Sequence, residues 1–189
     1  VGALYVRKGT ALRQLMYGGH HERDRRPGTE NVPGIAGLGR AAELAAGQMK
    51  EEAARVGALR DRLEGEILRR VPRVQVNGAH APRLPNTSSL SFDHIEGEGF
   101  VIACDLAGLA CSTGAACSSG SLEPSHVLAA IGLSREQARS TVRFSLGRAT
   151  TAEDVDAAVD AVAAVVERLR SLSPHEQSEP ARVQTLAIG

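Results

Sequence analysis

Aromatic side chains are scarce: they make up 3% of the 189 residues, with three Phe, two Tyr and no Trp. Any interior must therefore be assembled from Ala, Leu, Val and Ile. Net charge is also missing. The 22 basic residues balance 22 acidic ones, which removes the basic footprint expected of a nucleic-acid binder. Lysine is nearly absent, since all basic residues except Lys8 and Lys50 are arginines. The three cysteines, Cys104, Cys111 and Cys117, are odd in number and have no CxxC spacing. That pattern argues against a disulfide framework and against a zinc site. The longest apolar runs fall short of a membrane span, and the opening VGALYVRKG lacks the charged-then-apolar layout of a signal peptide. The expectation is a cytoplasmic protein with neither nucleic-acid nor membrane partners.

What is present is ordinary for a globular chain, with 42% apolar and 23% charged residues. The length suits one medium domain, or one domain plus part of another. GALYVRKGT reads as a short strand followed by a turn at Lys8-Gly9, and with no start methionine the chain is expected to begin inside a larger fold. MYGGHHERDRRPGTENVPGIAG reads as a loop. From about Val32 to Arg70, apolar residues at spacings of three and four predict a long helix, with Pro33 in its first turn. VQVN predicts a strand, and TSSLSF (Thr87 to Phe92) alternates as a half-buried one. Glu96 to Leu106 reads as helix, GLACS as a short strand, PSHVLAAIG as a helix closed by Gly132, and TVRFSLG as an alternating strand. Thr151 is a candidate N-cap for the helix that follows, with acids in its first turn and Arg168 and Arg170 in its last. The predicted organisation is a remnant of another layer at 1–31, a bridging helix at 32–70, an α+β domain at 71–173 and a frayed tail at 174–189.

Three segments carry candidate chemistry. In STGAACSSGSLEPSHVL, Cys117 sits among Gly, Ala and Ser with no bulky neighbour until Leu122. It reads either as an incidental surface thiol or as a reactive one on an arm that must move. In RRPGTENV, the Gly28-Thr29 pair opening a helix suits a phosphate, through backbone N–H groups and the Thr29 hydroxyl. The simpler reading is that Thr29 or Asn31 caps the helix. In TVRFSLGR, period-two alternation puts Val142, Phe144 and Leu146 on one face and Arg143 with Ser145 on the other. Arg143 then faces solvent or forks onto a carboxylate, and the pattern alone favours solvent. Cys104 and Cys111 read as core residues and His126 as structural. His20 and His21 have no companion cluster at metal-ligand spacing.

The ordered set YGGHHERDRRPGTENVPGIAGL, LPNTSSLSF, STGAACSSGSLEPSHVLAAIGL and TVRFSLGRATTAEDVD closely resembles the C-terminal half of cysteine desulfurases of the NifS/IscS class. These belong to the class V aminotransferase group and depend on pyridoxal 5'-phosphate (PLP). The resemblance extends to about Ser173. It implies an overall α/β fold of the PLP-dependent transferase fold type I, of which this chain holds mainly the α+β small domain and the last part of the large domain. It also implies conversion of L-cysteine to L-alanine, with a protein thiolate taking the sulfur as a persulfide. By resemblance, Cys117 matches the nucleophile and Arg143 the arginine that binds the substrate carboxylate. Thr29 matches the threonine that reaches across a homodimer to the phosphate of the neighbouring subunit's PLP.

The implied partners are a second subunit and a sulfur-acceptor or scaffold protein serving iron–sulfur clusters or thiolated molecules. The one metal role implied is a transient iron–sulfur cluster contact at Cys117, which no ligand spacing supports. In the family the Schiff-base lysine lies in a motif just before the GALYVRKG strand, so neither Lys8 nor Lys50 matches it. The expectation is that the isolated chain turns over cysteine poorly or not at all. The opening strand is expected to be poorly ordered, or to pair with another chain through its exposed edge. Two other readings stay open: a non-catalytic sulfur-relay or dimerisation module, and a PLP enzyme resembling selenocysteine lyase.

Overall fold

Strand alternation decides the layout. In the computed structural model, which describes residues 1–113 and 125–172, four strands form one antiparallel sheet. These are β1 (Val74–Val76), β2 (Thr87–Phe92), β3 (Ser112–Thr113) and β4 (Thr141–Ser145), in the order β1-β2-β4-β3. Cys117 and the tail from 173 lie outside the described residues. The helices are α1 (Val32–Arg70), α2 (Gly97–Leu106), α3 (His126–Ala130), α4 (Arg135–Arg139) and α5 (Ala152–Ser171). Contacts divide the chain into two units, Val1–Glu51 and Glu52–Gly189, and the division falls inside α1.

In the second unit, Leu90 and Phe92 of β2 and Val142 and Phe144 of β4 project to one face of the sheet and are buried there. Helices cover that face. Val155, Val159, Val162 and Val166 of α5 recur at helical spacing and join Val56, Leu63 and Ile67 of α1 in the same core. Phe100 of α2 stacks on Phe92 with ring centroids 4.8 Å apart, and meets Phe144 edge-on at 6.4 Å. All three phenylalanines of the chain thus meet in the core, the use to which scarce rings are best put. α5 starts where the sequence predicts, on a capping box in which Thr151 and Asp154 bind each other's backbone N–H.

Three expectations are corrected and one element is new. Val1–Arg7 forms no strand, because a strand needs a partner ladder and none is present here; only the turn at Lys8-Gly9 is found, closed by Thr10 N–H to Arg7 O. The short strand expected at GLACS is displaced to Ser112–Thr113, since Gly108, at φ +82°, turns the chain so that Leu109 N–H bonds Cys104 O. The helix expected from Pro124 begins at His126. An unforeseen helix, α4, is started by a capping box between Ser134 and Gln137.

Arginine, not lysine, ties the connections down. Arg170, 4% exposed, donates to the carbonyls of Pro72, Arg73 and Asp93 at 2.8–3.3 Å. Two of the residues in that corner, Arg73 (φ +57°) and His94 (φ +63°), hold left-handed backbone conformations that cost energy for any residue with a Cβ. The fork of one guanidinium offsets this cost. Arg55 does the same for the turn before α5, donating to Thr150 O at 2.8 Å and Arg148 O at 2.7 Å. Arg83 forks onto the buried carboxylate of Glu64 at 2.8 and 3.0 Å. Replacing Arg170 with Met should lower unfolding stability by about 3 kcal/mol, and Arg170→Lys should recover only a minor part because an ammonium cannot fork. Urea unfolding of the three proteins checks this; a loss under about 1 kcal/mol for Arg170→Met would overturn the anchoring role.

Candidate functional site

The face of the sheet opposite the core is polar. Register places Ser91 opposite Thr141, Ser89 opposite Arg143 and Thr87 opposite Ser145, while Ser112 of β3 lies opposite Arg143 from the other side. At one end α4 closes this face, and a buried network fills it. Asn77 Nδ2 donates to Ser91 Oγ at 2.9 Å, Ser91 and Thr141 hydroxyls meet at 2.8 Å, and Thr141 Oγ1 donates to Gln137 O at 2.7 Å. Sequence reasoning missed Asn77 and Ser91. The alternating Ser and Thr of TSSLSF were the available signal, but their partner Asn77 is a loop residue after β1.

At the open end sits Arg143, exposed, between two half-buried serines of neighbouring strands. Among the described residues it has no hydrogen-bond or ion-pair partner, in contrast to the committed guanidinium groups of Arg55, Arg83 and Arg170. A guanidinium on a rigid strand with its donors uncommitted suits a small carboxylate. β3 also leads to the candidate nucleophile. Thr113 precedes Cys117 by four residues, so covalent geometry keeps the two Cα atoms within about 14 Å. Cys117 itself lies outside the described residues. Two depressions beside α4, of 360 and 580 Å³, are lined by His94, Glu136 and Ser140 among others and include neither Arg143 nor Ser112.

Thr29 belongs to the other unit. Asn31, not Thr29, caps α1: its Oδ1 accepts from Gly34 N–H at 3.0 Å. That leaves the exposed Thr29 hydroxyl outside the cap, next to Gly28 at φ +98°. His21 Nδ1 and Glu30 Oε1 meet at 2.9 Å across this loop. The backbone of Glu30, and then His21, hydrogen-bond its carboxylate and hold its pKa below the usual range. His20 pairs with Asp24 at 2.5 Å, and among the described residues no cluster of His, Cys, Asp and Glu could hold a metal. Arg26 Nη1 donates to Gly28 O at 3.2 Å, which brings a guanidinium to the residue before Thr29, and a hydroxyl with a guanidinium is a donor set that fits a phosphate such as that of PLP. Lys8 and Lys50 are both exposed, without the desolvation that activates a Schiff-base lysine.

The class V aminotransferase family model matches residues 1–158. A cysteine desulfurase from a Nostoc species is 48% identical over 191 residues, covering 99% of this chain and 48% of that protein. The cysteine desulfurase NifS of Azotobacter vinelandii is 50% identical over 175 residues, covering 93% of this chain and 44% of that one. Among solved structures, a NifS-like protein from Rickettsia africae superimposes with a TM-score of 0.72 at 30% identity, over 82% of this chain and 40% of that one. The chain therefore spans about half the length of the curated relatives it matches.

The polar face depends on a close approach at the start of α2. A Cβ on Gly97 would lie 2.9 Å from Arg139 O and 3.3 Å from Thr141 O, backbone atoms that hold the start of β4. Gly97→Ala should therefore destabilise the protein by about 1–3 kcal/mol, read as a lower urea midpoint with an unchanged slope. An unchanged midpoint would mean that α2 and β4 are not held this tightly.

Proposed function

The chain belongs to the class V aminotransferase family of PLP-dependent enzymes, and from that premise we propose that it is the sulfur-accepting, substrate-clamping part of a cysteine desulfurase. The observation that carries this reading is the uncommitted guanidinium of Arg143 beside Ser112, on the strand pair from which the chain runs on to Cys117. Arg143 binds the carboxylate of L-cysteine with two parallel N–H donors, fixing the amino acid at the open end of the polar face. Ser89 and Ser112 flank it on neighbouring strands. When bound, PLP supplies the electron sink that labilises the substrate's carbon–sulfur bond. The Cys117 thiolate attacks the substrate sulfur; the carbon–sulfur bond breaks with its electron pair going to the carbon side, that carbon takes a proton to become the methyl group of L-alanine, and the thiol becomes a persulfide.

The Thr29 hydroxyl, freed from capping by Asn31, holds a phosphate oxygen of the cofactor in a second subunit of a homodimer. The persulfide then passes to a sulfur-acceptor or scaffold protein in the cytoplasm. Because Lys8 and Lys50 are exposed, neither is proposed as the Schiff-base lysine. Residues 1–189 alone are proposed to be inactive.

Steady-state alanine formation from L-cysteine by the full-length, PLP-loaded enzyme of which residues 1–189 are proposed to be a part tests the assignment. Arg143→Ala should raise KM for cysteine by about ten- to a hundredfold, the value of a charge-assisted hydrogen bond or two. Cys117→Ser should keep cofactor binding while abolishing persulfide and alanine together. An unchanged KM would remove Arg143 from the site, and alanine formation at the native rate by Cys117→Ser would remove Cys117. Persulfide on Cys117 only in the presence of a separate, active desulfurase would favour the relay module instead.

A further inference from the structure

Two cysteines outside this chemistry lie together. Cys104, in the last turn of α2, is fully buried in the core with Phe92 and Phe100; Cys111, immediately before β3, is half-buried and packs against the same cluster. The chain between them reverses at Gly108, where the left-handed turn and the Leu109 N–H bond to Cys104 O bring the start of β3 back along the end of α2. Because Ser112 faces Arg143 on the polar side, alternation turns Cys111 to the core side, where it packs against the cluster that contains Cys104. Both thiols are free.

We propose that Cys104 and Cys111 form a second thiol site, separate from Cys117, that closes to an intramolecular disulfide when oxidised by a hydroperoxide. The hydrogen bond between the thiols, reinforced by burial, pushes the Cys104 pKa up; the same bond lowers that of Cys111. Cys111, the more accessible of the two, is therefore the one that reacts first. Its thiolate attacks the distal peroxide oxygen. The O–O bond breaks, the alkoxide leaves as an alcohol after taking a proton from water, and Cys111 becomes a sulfenic acid. Cys104 sulfur then attacks Cys111 sulfur; the S–O bond breaks, and the departing hydroxide takes the Cys104 proton and leaves as water. The two thiols lose two electrons in all, and the peroxide is reduced to an alcohol and water.

The burial of Cys104 suits it to this second step. It is protected from the oxidant in solution and has one sulfur within reach. The disulfide would tie the end of α2 to the residue just before Ser112, the serine opposite Arg143. It would thus fix the root of the segment that leads to Cys117. Nothing in this chemistry requires cysteine desulfuration, so it stands or falls separately from that function.

The test uses the Cys117→Ala protein, so that no third thiol can pair, with hydrogen peroxide as oxidant. Cleavage before each aspartate separates residues 93–104 from residues 105–153, each carrying one of the two cysteines. After peroxide treatment the two fragments should stay linked until a reductant is added, with the loss of about two hydrogen masses. Linking should be about tenfold faster in the folded protein than in the urea-unfolded chain, since the fold holds the sulfurs together. Unlinked fragments, a sulfinic acid on Cys111 with Cys104 still free, or equal rates with and without urea would each overturn the proposal. A Cys111→Ser variant, which retains the buried Cys104, should leave that thiol unoxidised under the same treatment; its oxidation would show that burial does not shield it.

Discussion

The antiparallel register of β2 on β4 is the constraint from which the rest follows. It runs from Thr87 opposite Ser145 to Ser91 opposite Thr141. Because side chains alternate, this register sends Leu90, Phe92, Val142 and Phe144 to the core and Ser89, Ser91, Thr141 and Arg143 to the other face. A slip of one strand by one residue would reverse its two sets. Large apolar side chains are each stabilised by about 1.5–3 kcal/mol on burial, whereas an unpaired guanidinium forced into the core costs several kcal/mol. Those terms act in the same direction, so a core requirement also fixes Arg143 on the exposed face. β3 extends the same logic. Thr113 faces the core opposite Val142, and Ser112 falls opposite Arg143 on the polar side.

Arginine divides into two uses in this molecule. Arg55, Arg60, Arg83 and Arg170 spend their forks on carbonyls and a buried carboxylate, often joining elements far apart in the chain. A planar guanidinium reaches two or more acceptors from one position, and its positive charge strengthens each bond. Lysine would supply charge without that geometry, which gives a physical reason for the near absence of lysine. Arg143 keeps its donors unspent among the described residues. The contrast between engaged and unengaged arginines is a structural property and is invisible in a count of basic residues.

Some of this was legible before the structure. The bounds of β2 and the Thr151 cap of α5 follow from local rules, alternation and capping, that require no knowledge of partners. So does the exposure of Arg143 between buried Val142 and Phe144. α4 carried a signature, Ser134 with Gln137 three residues on, but five helical residues are too few to show a period. The opening segment differs from its reading because GALYV has strand composition, while a strand also needs a second strand to pair with. The Asn77–Ser91–Thr141 network and the packing of Cys104 and Cys111 in one cluster depend on how loops and turns return to the sheet, which no local rule reports. Between Thr29 and Asn31 the sequence could not choose a cap; hydrogen-bond geometry chose Asn31. Cys117 lies outside the described residues, and its candidacy rests on its motif alone.

Val1–Glu51 poses a different physical problem from the sheet unit. None of its residues is buried, although Leu15, Tyr5 and Tyr17 are 94%, 89% and 83% exposed. Its helical part, from Val32 onward, is the N-terminal portion of α1, whose C-terminal portion is anchored through Val56, Leu63 and Ile67. Helix propagation is cheap once a turn has been nucleated. The anchored half can therefore sustain the N-terminal half without any core of its own. The loop before the helix has no such support: around Thr29 it is held by the Asn31 cap and the His21–Glu30 contact. Apolar surface of this extent is rarely left in water by a self-sufficient domain.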